Sequence, residues 1–218
     1  MEPIVQIAID TTIMDDALRL AHCAVEAGAD WLEVGNPLIK FEGVRSIEVL
    51  AKEFPEHYIL VDFMVMAGSK RYIDIAKKLG AHNITVTGLV PDTTISEAIS
   101  YGKESQIETT IDLFNVQNIA DDAIKYKEMG ADYLMVHFGV DQKKNLEVAP
   151  IEDLKRVVEL VDIPVSYATY DLEESIQAVK AGAKVIVQGY PLLSTPNPTE
   201  ALKKFIVQTK EASRNIIL

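Results

Sequence analysis

Five side chains able to hold a cation or move a proton, Asp10, Glu33, Asp62, Asp112 and His137, occupy similar places along the 218-residue sequence. Each lies inside or just after a short β-branched run. Carboxylates gathered away from water lose hydration and repel one another, so four at one place call for a compensating cation. A hard divalent ion such as Mg2+ takes oxygen ligands and would offset that cost. An imidazole titrating near neutrality beside them is suited to shuttling a proton. Asn36, Asn115 and Asp141 add polar groups at the ends of the same runs. Each residue also has an ordinary alternative. Asp10 could serve only to cap the following helix, and His137 could be a satisfied core histidine. Tyr167, Tyr170 and Tyr190 could pack the rim of the fold, and the pairs Asp121-Asp122 and Glu173-Glu174 read as helix starts on solvated faces.

Such residues meet only if the elements carrying them lie parallel and side by side. Short strand-like runs alternate with amphipathic segments eight times: IVQIAID (4–10), WLEVGN (31–36), YILVDFM (58–64), NITVTG (83–88), IETTIDLFN (107–115), YLMVHFG (133–139), IPVSYATY (163–170) and KVIVQGY (184–190). Helices are expected to begin near Met14, Gly43, Ser69, Pro91, Ile119, Pro150, Asp171 and Asn197. AGAD (27–30), LGAH (79–82), MGAD (129–132) and AGAK (181–184) punctuate the joins between helix and next strand. A glycine just past a helix takes the left-handed conformation that ends it. Eight such units in about 220 residues predict an α/β fold, a (β/α)8 TIM barrel formed by residues 1–218 as one domain, in preference to an open doubly wound sheet. In that barrel the catalytic residues come from the carboxyl ends of the strands and the loops after them.

Composition excludes other classes. A net charge of −12 with no lysine or arginine cluster argues against nucleic acid. No apolar run approaches the ~20 residues of a membrane span. The opening MEPIVQIAID lacks the basic start and longer apolar stretch of a secretory signal, so a cytoplasmic location is expected. The one cysteine, Cys23, excludes a disulfide framework or a cysteine-ligated zinc and is expected in the core.

The chain resembles the hexulose-6-phosphate synthase and 3-keto-L-gulonate-6-phosphate decarboxylase branch of the orotidine monophosphate decarboxylase superfamily. The matching stretches are VQIAID (5–10), WLEVGNPLIKFEGVRSIEVL (31–50), ILVD (59–62), ITVTG (84–88), TTIDL (109–113), MVHFGVDQ (135–142) and the tail from VIVQGYPL. The resemblance implies a ribulose-phosphate-binding barrel with Mg2+ held by Glu33 and Asp62, and Asp10 on substrate hydroxyls. His137 would act near the reacting carbon. Asp112 completes a catalytic set with His137 and Asp62, touching the substrate or supporting a group that does, and Thr169, Gly189 and Tyr190 are the further residues expected to bind substrate. It further implies a homodimer and a carbon-carbon lyase, an aldehyde-lyase or carboxy-lyase. The substrate would be a small molecule, a sugar phosphate or related ketose, reacting through a metal-stabilised enediolate.

The family's signature after strand three, Asp-x-Lys-x-x-Asp, reads here Asp62-Phe63-Met64-Val65-Met66-Ala67, so Met64 and Ala67 replace a lysine and an aspartate. A thioether supplies neither proton nor charge. Lys40 and Lys70 are nearby in sequence but are not evident substitutes. The Gly-Gly and Gly-Arg that grip phosphate in relatives read Ala168-Thr169-Tyr170 and Gly189-Tyr190, which removes a permanently charged, bidentate donor. These departures point to an altered substrate or reaction, isomerisation or lysine-free aldol cleavage among them. The alternative is a non-catalytic binding or regulatory relative that kept the barrel.

Overall fold

The computed structural model describes residues 2–143 and 151–214. Eight parallel strands close into a barrel, β1 (Ile4–Ile9), β2 (Trp31–Val34), β3 (Tyr58–Val65), β4 (Asn83–Thr87), β5 (Glu108–Asp112), β6 (Tyr133–Val136), β7 (Val165–Ala168) and β8 (Val185–Gln188). Each strand pairs with the next in sequence, and β8 returns to β1 with Val185 opposite Ile4. The helices are α1 (Met14–Ala27), α2 (Asn36–Glu42), α3 (Arg45–Glu53), α4 (Ser69–Leu79), α5 (Asp92–Ser105), α6 (Ile119–Met129), α7 (Val140–Lys143), α8 (Ile151–Leu160), α9 (Leu172–Lys180) and α10 (Pro198–Arg214). No described helix is long and apolar enough to cross a membrane.

Strand alternation divides the core in two. Residues of one parity, Val5, Ile7 and Ile9 in β1 for example, join the main core between sheet and helices. Residues of the other parity point into the barrel, where Ala8, Trp31, Met135, Val185 and Val187 form a smaller cluster. At its base Trp31 stacks on Tyr58 with ring centres 4.1 Å apart, and Tyr58 stacks on His82 at 4.9 Å. On the helices, stripes at helical spacing face the sheet, as with Ser69, Ile73 and Ala76 of α4.

The four-residue punctuation does two jobs. Gly28, Gly80, Gly130 and Gly182 have φ of 96°, 91°, 93° and 105°. The alanine after each sends its N–H back to the carbonyl five residues earlier, Ala24, Ala76, Tyr126 and Ala178, which closes the helix end. The residue after that alanine then ties down a neighbouring strand. Asp30 accepts the N–H of Val5 at 2.8 Å, His82 that of Ile59 at 3.0 Å, and Asp132 that of Thr109 at 2.8 Å.

The elements differ from expectation in a few places. All strands but β3 end one to three residues before the expected bounds. The helix expected near Gly43 is preceded by α2, which starts at Asn36 with Pro37 in its first turn, where a missing N–H costs nothing. Pro150 lies outside the described residues. Cys23 is half-buried on α1, a free thiol at the edge of the core. Tyr167 is no rim residue; it is fully buried in the main core.

Candidate functional site

β1 ends by delivering Asp10, β2 presents Glu33 inward, β3 carries Asp62 at its irregularity after Val61, and β5 and β6 end at Asp112 and before His137. The barrel therefore carries all five to one mouth. Asp10, Glu33, Asp62 and His137 line a cavity of about 100 Å3 together with Met135, Thr169, Tyr170, Gln188, Gly189 and Tyr190. Asp112 stands behind it, fully buried, with His137 Nδ1 at 3.0 Å from its Oδ2. A larger cavity of about 490 Å3 opens beside Asn115 and Arg156, but none of the acidic group borders it, so size alone does not mark the chemistry.

Two inward polar residues hold the carboxylates. Gln6 Nε2 donates to Glu33 Oε2 at 2.5 Å and Thr85 Oγ1 donates to Asp62 Oδ1 at 2.6 Å. Asn36 Nδ2 donates to the Asp62 carbonyl at 3.0 Å, tying the start of α2 to the end of β3. Gln6, Thr85 and Gln188 are absent from the sequence-based set of site residues, yet the signal was present. In IVQIAID, NITVTG and VIVQGY they are the polar residues among the apolar neighbours of a strand.

Burial sets the electrostatics. It pushes the Glu33 carboxyl well above the usual range, and the charges of Asp62 and Asp10 add to the rise against the Gln6 hydrogen bond. Burial raises Asp62 to about 7; the Thr85 hydroxyl opposes this and Asp112 adds to it. Asp10 is open to solvent at the mouth, but the walls around it still raise its carboxyl, with His137 pulling the other way. For His137 burial favours the neutral ring, but the carboxylates of Asp112, Asp62 and Asp10 outweigh it and leave its pKa raised.

Asp10 does not cap α1. The helix has no side-chain cap at its N-terminus, and Glu42 accepts the Met14 N–H at 2.9 Å instead. Gly35 makes room for Asp10, since a Cβ there would lie 2.2 Å from Asp10 Oδ1. Asn115 is exposed with φ 57°, and Asp141 lies on α7 away from the cavity lining. Tyr170 Oη donates to the Phe138 carbonyl at 2.8 Å, joining the loops after β6 and β7, while Tyr190 is exposed on the rim.

Met64 sits on an irregularity of β3 between Val61 and Val65, at φ 46°, with its N–H on Thr85 Oγ1 at 2.8 Å. It does not line the cavity, and Ala67 is exposed. Lys70 lies 3.5 Å from Glu97 and over the Tyr101 ring, and Lys40 is exposed on α2, so neither lines the cavity. The described lining includes no lysine or arginine. Nor do the described residues bring three or more His, Cys, Asp or Glu side chains into a group spaced to hold a metal ion.

Comparison with known proteins agrees with the barrel fold. Residues 3–205 match the model of the orotidine 5'-phosphate decarboxylase / HUMPS family. The chain is 32% identical to a 3-hexulose-6-phosphate synthase of Mycobacterium gastri over 203 residues, 91% of this chain and 96% of that protein. A crystal structure of 3-hexulose-6-phosphate synthase superimposes with a TM-score of 0.88 at 29% identity, covering 95% of this chain and 99% of that one. A 3-keto-L-gulonate-6-phosphate decarboxylase from Vibrio cholerae shares the fold with a TM-score of 0.81 at 23% identity, over 96% and 99% of the two chains.

Proposed function

Because the chain belongs to the orotidine 5'-phosphate decarboxylase / HUMPS family, we propose that it is a carbon-carbon lyase similar to hexulose-6-phosphate synthase, acting through the enediolate of a ketose phosphate or related polyol ketone. The observation that carries this reading is the Asp112–His137 pair, aimed at the cavity that Glu33 and Asp62 also line.

The chemistry follows from the positions. Asp112 holds the proton on His137 Nδ1, which leaves Nε2 to take a proton from the carbon next to the ketone or to return it. Asp10, at the open side, accepts hydrogen bonds from substrate hydroxyls. Glu33 and Asp62 repel one another in a buried setting without a lysine or arginine in the lining, and each has one oxygen committed to Gln6 or Thr85. Two carboxylates completed by ligand and water oxygens suit Mg2+, which usually takes only one or two protein carboxylates. Mg2+ held there would supply the positive charge that the two enediolate oxygens need. In the aldol direction, His137 removes the proton, the resulting carbanion attacks an aldehyde such as formaldehyde, and the new alkoxide is protonated.

The test is consumption of formaldehyde by the full chain with Mg2+ and either ribulose or ribulose 5-phosphate. Turnover that Glu33→Gln abolishes supports the assignment; full activity in that variant removes the metal role, and no turnover with either sugar overturns the synthase reaction. Met64 and Ala67 favour a second reading, a binding protein without turnover. Ligand-dependent stabilisation in the absence of any reaction would identify it.

Homodimer formation belongs to the same proposal. Val65 is buried and Phe63 packs on Tyr72, so the run 63–66 is not itself an apolar surface. Exposed apolar side chains follow β1 to β3 instead, Ile13, Phe41 on α2, Val44 and Met66, and these are the ones the contact would cover. A monomeric mass in solution would exclude it.

A further inference from the structure

Among the described residues three other than glycine have a left-handed φ, Met64 at 46°, Gln106 at 60° and Asn115 at 57°. Two have an ordinary explanation. Gln106 closes the end of α5, and asparagine tolerates this region better than most side chains. Met64 has neither excuse, for it stands inside β3, where the ladder to β4 is irregular between Val61 and Val65. A strained residue persists only where its surroundings hold it, and such strain gathers at functional sites. Two residues before Met64 is Asp62.

What holds Met64 is Thr85. The Met64 N–H donates to Thr85 Oγ1 at 2.8 Å, and the same hydroxyl donates to Asp62 Oδ1 at 2.6 Å. A threonine hydroxyl has one proton. With the N–H on a lone pair of its oxygen, that proton is turned toward the carboxylate, so Oδ1 is an acceptor and Oδ2 is left to the cavity that Asp62 lines. Thr85 and Asp62 are both buried, which strengthens the two bonds. The Met64 side chain is absent from the cavity lining.

We propose that Thr85 is a positioning residue for Asp62 as a metal ligand, and that residue 64 serves the site through its backbone N–H, which sets the Thr85 hydroxyl. This rests on the Mg2+ role given above to Glu33 and Asp62, and adds the group that orients one of the two ligands.

The test is Mn2+ binding to the full chain, with and without ribulose 5-phosphate, followed by loss of the free-ion electron paramagnetic resonance signal; Mn2+ takes the same oxygen ligands as Mg2+. Thr85→Val keeps the shape and removes the hydroxyl. It should bind Mn2+ about tenfold or more weakly than wild type, the usual effect of removing a partner behind a metal ligand, and the Met64 N–H should exchange faster with solvent. Thr85→Ser restores the hydroxyl and should stay within about threefold of wild-type affinity. A folded Thr85→Val that binds as wild type does, or a Thr85→Ser as weak as the valine variant, overturns the positioning role and leaves the metal reading standing. No Mn2+ binding by the wild type in either condition overturns both. If Thr85→Val does not fold, Thr85→Ala takes its place under the same expectations.

Discussion

His137 Nδ1 lies 3.0 Å from Asp112 Oδ2, and the other oxygen of that fully buried carboxylate accepts the N–H of Phe114 at 2.9 Å. Asp112 is therefore clamped from one side and clamps the imidazole on the other. Its charge also raises the histidine's pKa against the opposing effect of burial. Asp112→Asn removes the charge and keeps the size. The His137 pKa should fall, and the limb of the rate profile that requires the neutral ring should move to lower pH. Loss of the orienting partner should lower kcat by about one to two powers of ten. The measurement is kcat/KM against pH for both proteins; an unmoved limb would assign that ionisation to another group.

Asp62 gives a stability prediction of opposite character. Its folded pKa, about 7, is above the ordinary carboxylate value, so between about pH 4 and 7 the folded chain holds a proton that the unfolded chain has released. Stability from this group is thus highest at low pH and falls as pH rises to about 7. Asp62→Asn does not titrate and still offers an oxygen to the Thr85 hydroxyl. It should melt a few degrees above wild type at pH 8 and level with it near pH 4, while losing turnover. Equal melting shifts at both pH values would show that ionisation is not the cause.

Gly35 has an ordinary φ of −64°, so its need for glycine is one of space. An added Cβ would meet Asp10 Oδ1 at 2.2 Å and the Ile9 carbonyl oxygen at 2.8 Å. Gly35→Ala should cost about 1–3 kcal/mol of stability, as overpacking does, and raise KM more than it lowers kcat, because Asp10 is displaced from the position where we propose that it binds substrate hydroxyls. In an Asp10→Ala background part of that cost should disappear. Denaturant unfolding of the four proteins measures the coupling, and strict additivity would separate Gly35 from Asp10.

Much of this was legible in the sequence. The eight strand-like runs and the four glycine-alanine joins fix the barrel, and each of those glycines has the left-handed φ that its position demands. Asp10, Glu33, Asp62 and His137 meet because the strands are parallel, so their chain ends share one mouth. What the sequence hid is contact across strands. That Thr85 on β4 reaches Asp62 on β3, or that Gln6 reaches Glu33, depends on register, which alternation alone does not specify. The Glu173-Glu174 pair shows the same limit. It reads as a solvated helix start, and Glu173 fits that description, but Glu174 turns inward to Tyr167 and the N–H of Tyr170.

The far end of the barrel should answer only to stability. Tyr58 is stacked between Trp31 and His82, and its hydroxyl donates a hydrogen bond to the Glu108 carboxylate. Burial above all, with the Glu108 carboxylate beside it, raises the pKa of that hydroxyl, so it stays protonated and remains a donor throughout the working range. Tyr58→Phe keeps the stack and leaves the partly buried Glu108 without this partner, at a cost of about 1–3 kcal/mol. Conserved function at the opposite face predicts KM and kcat within twofold of wild type at temperatures where the variant is folded. Thermal melts and kinetics on the same preparation check both halves, and a changed KM would mean that the base of the barrel transmits to the mouth through the side chains stacked inside it.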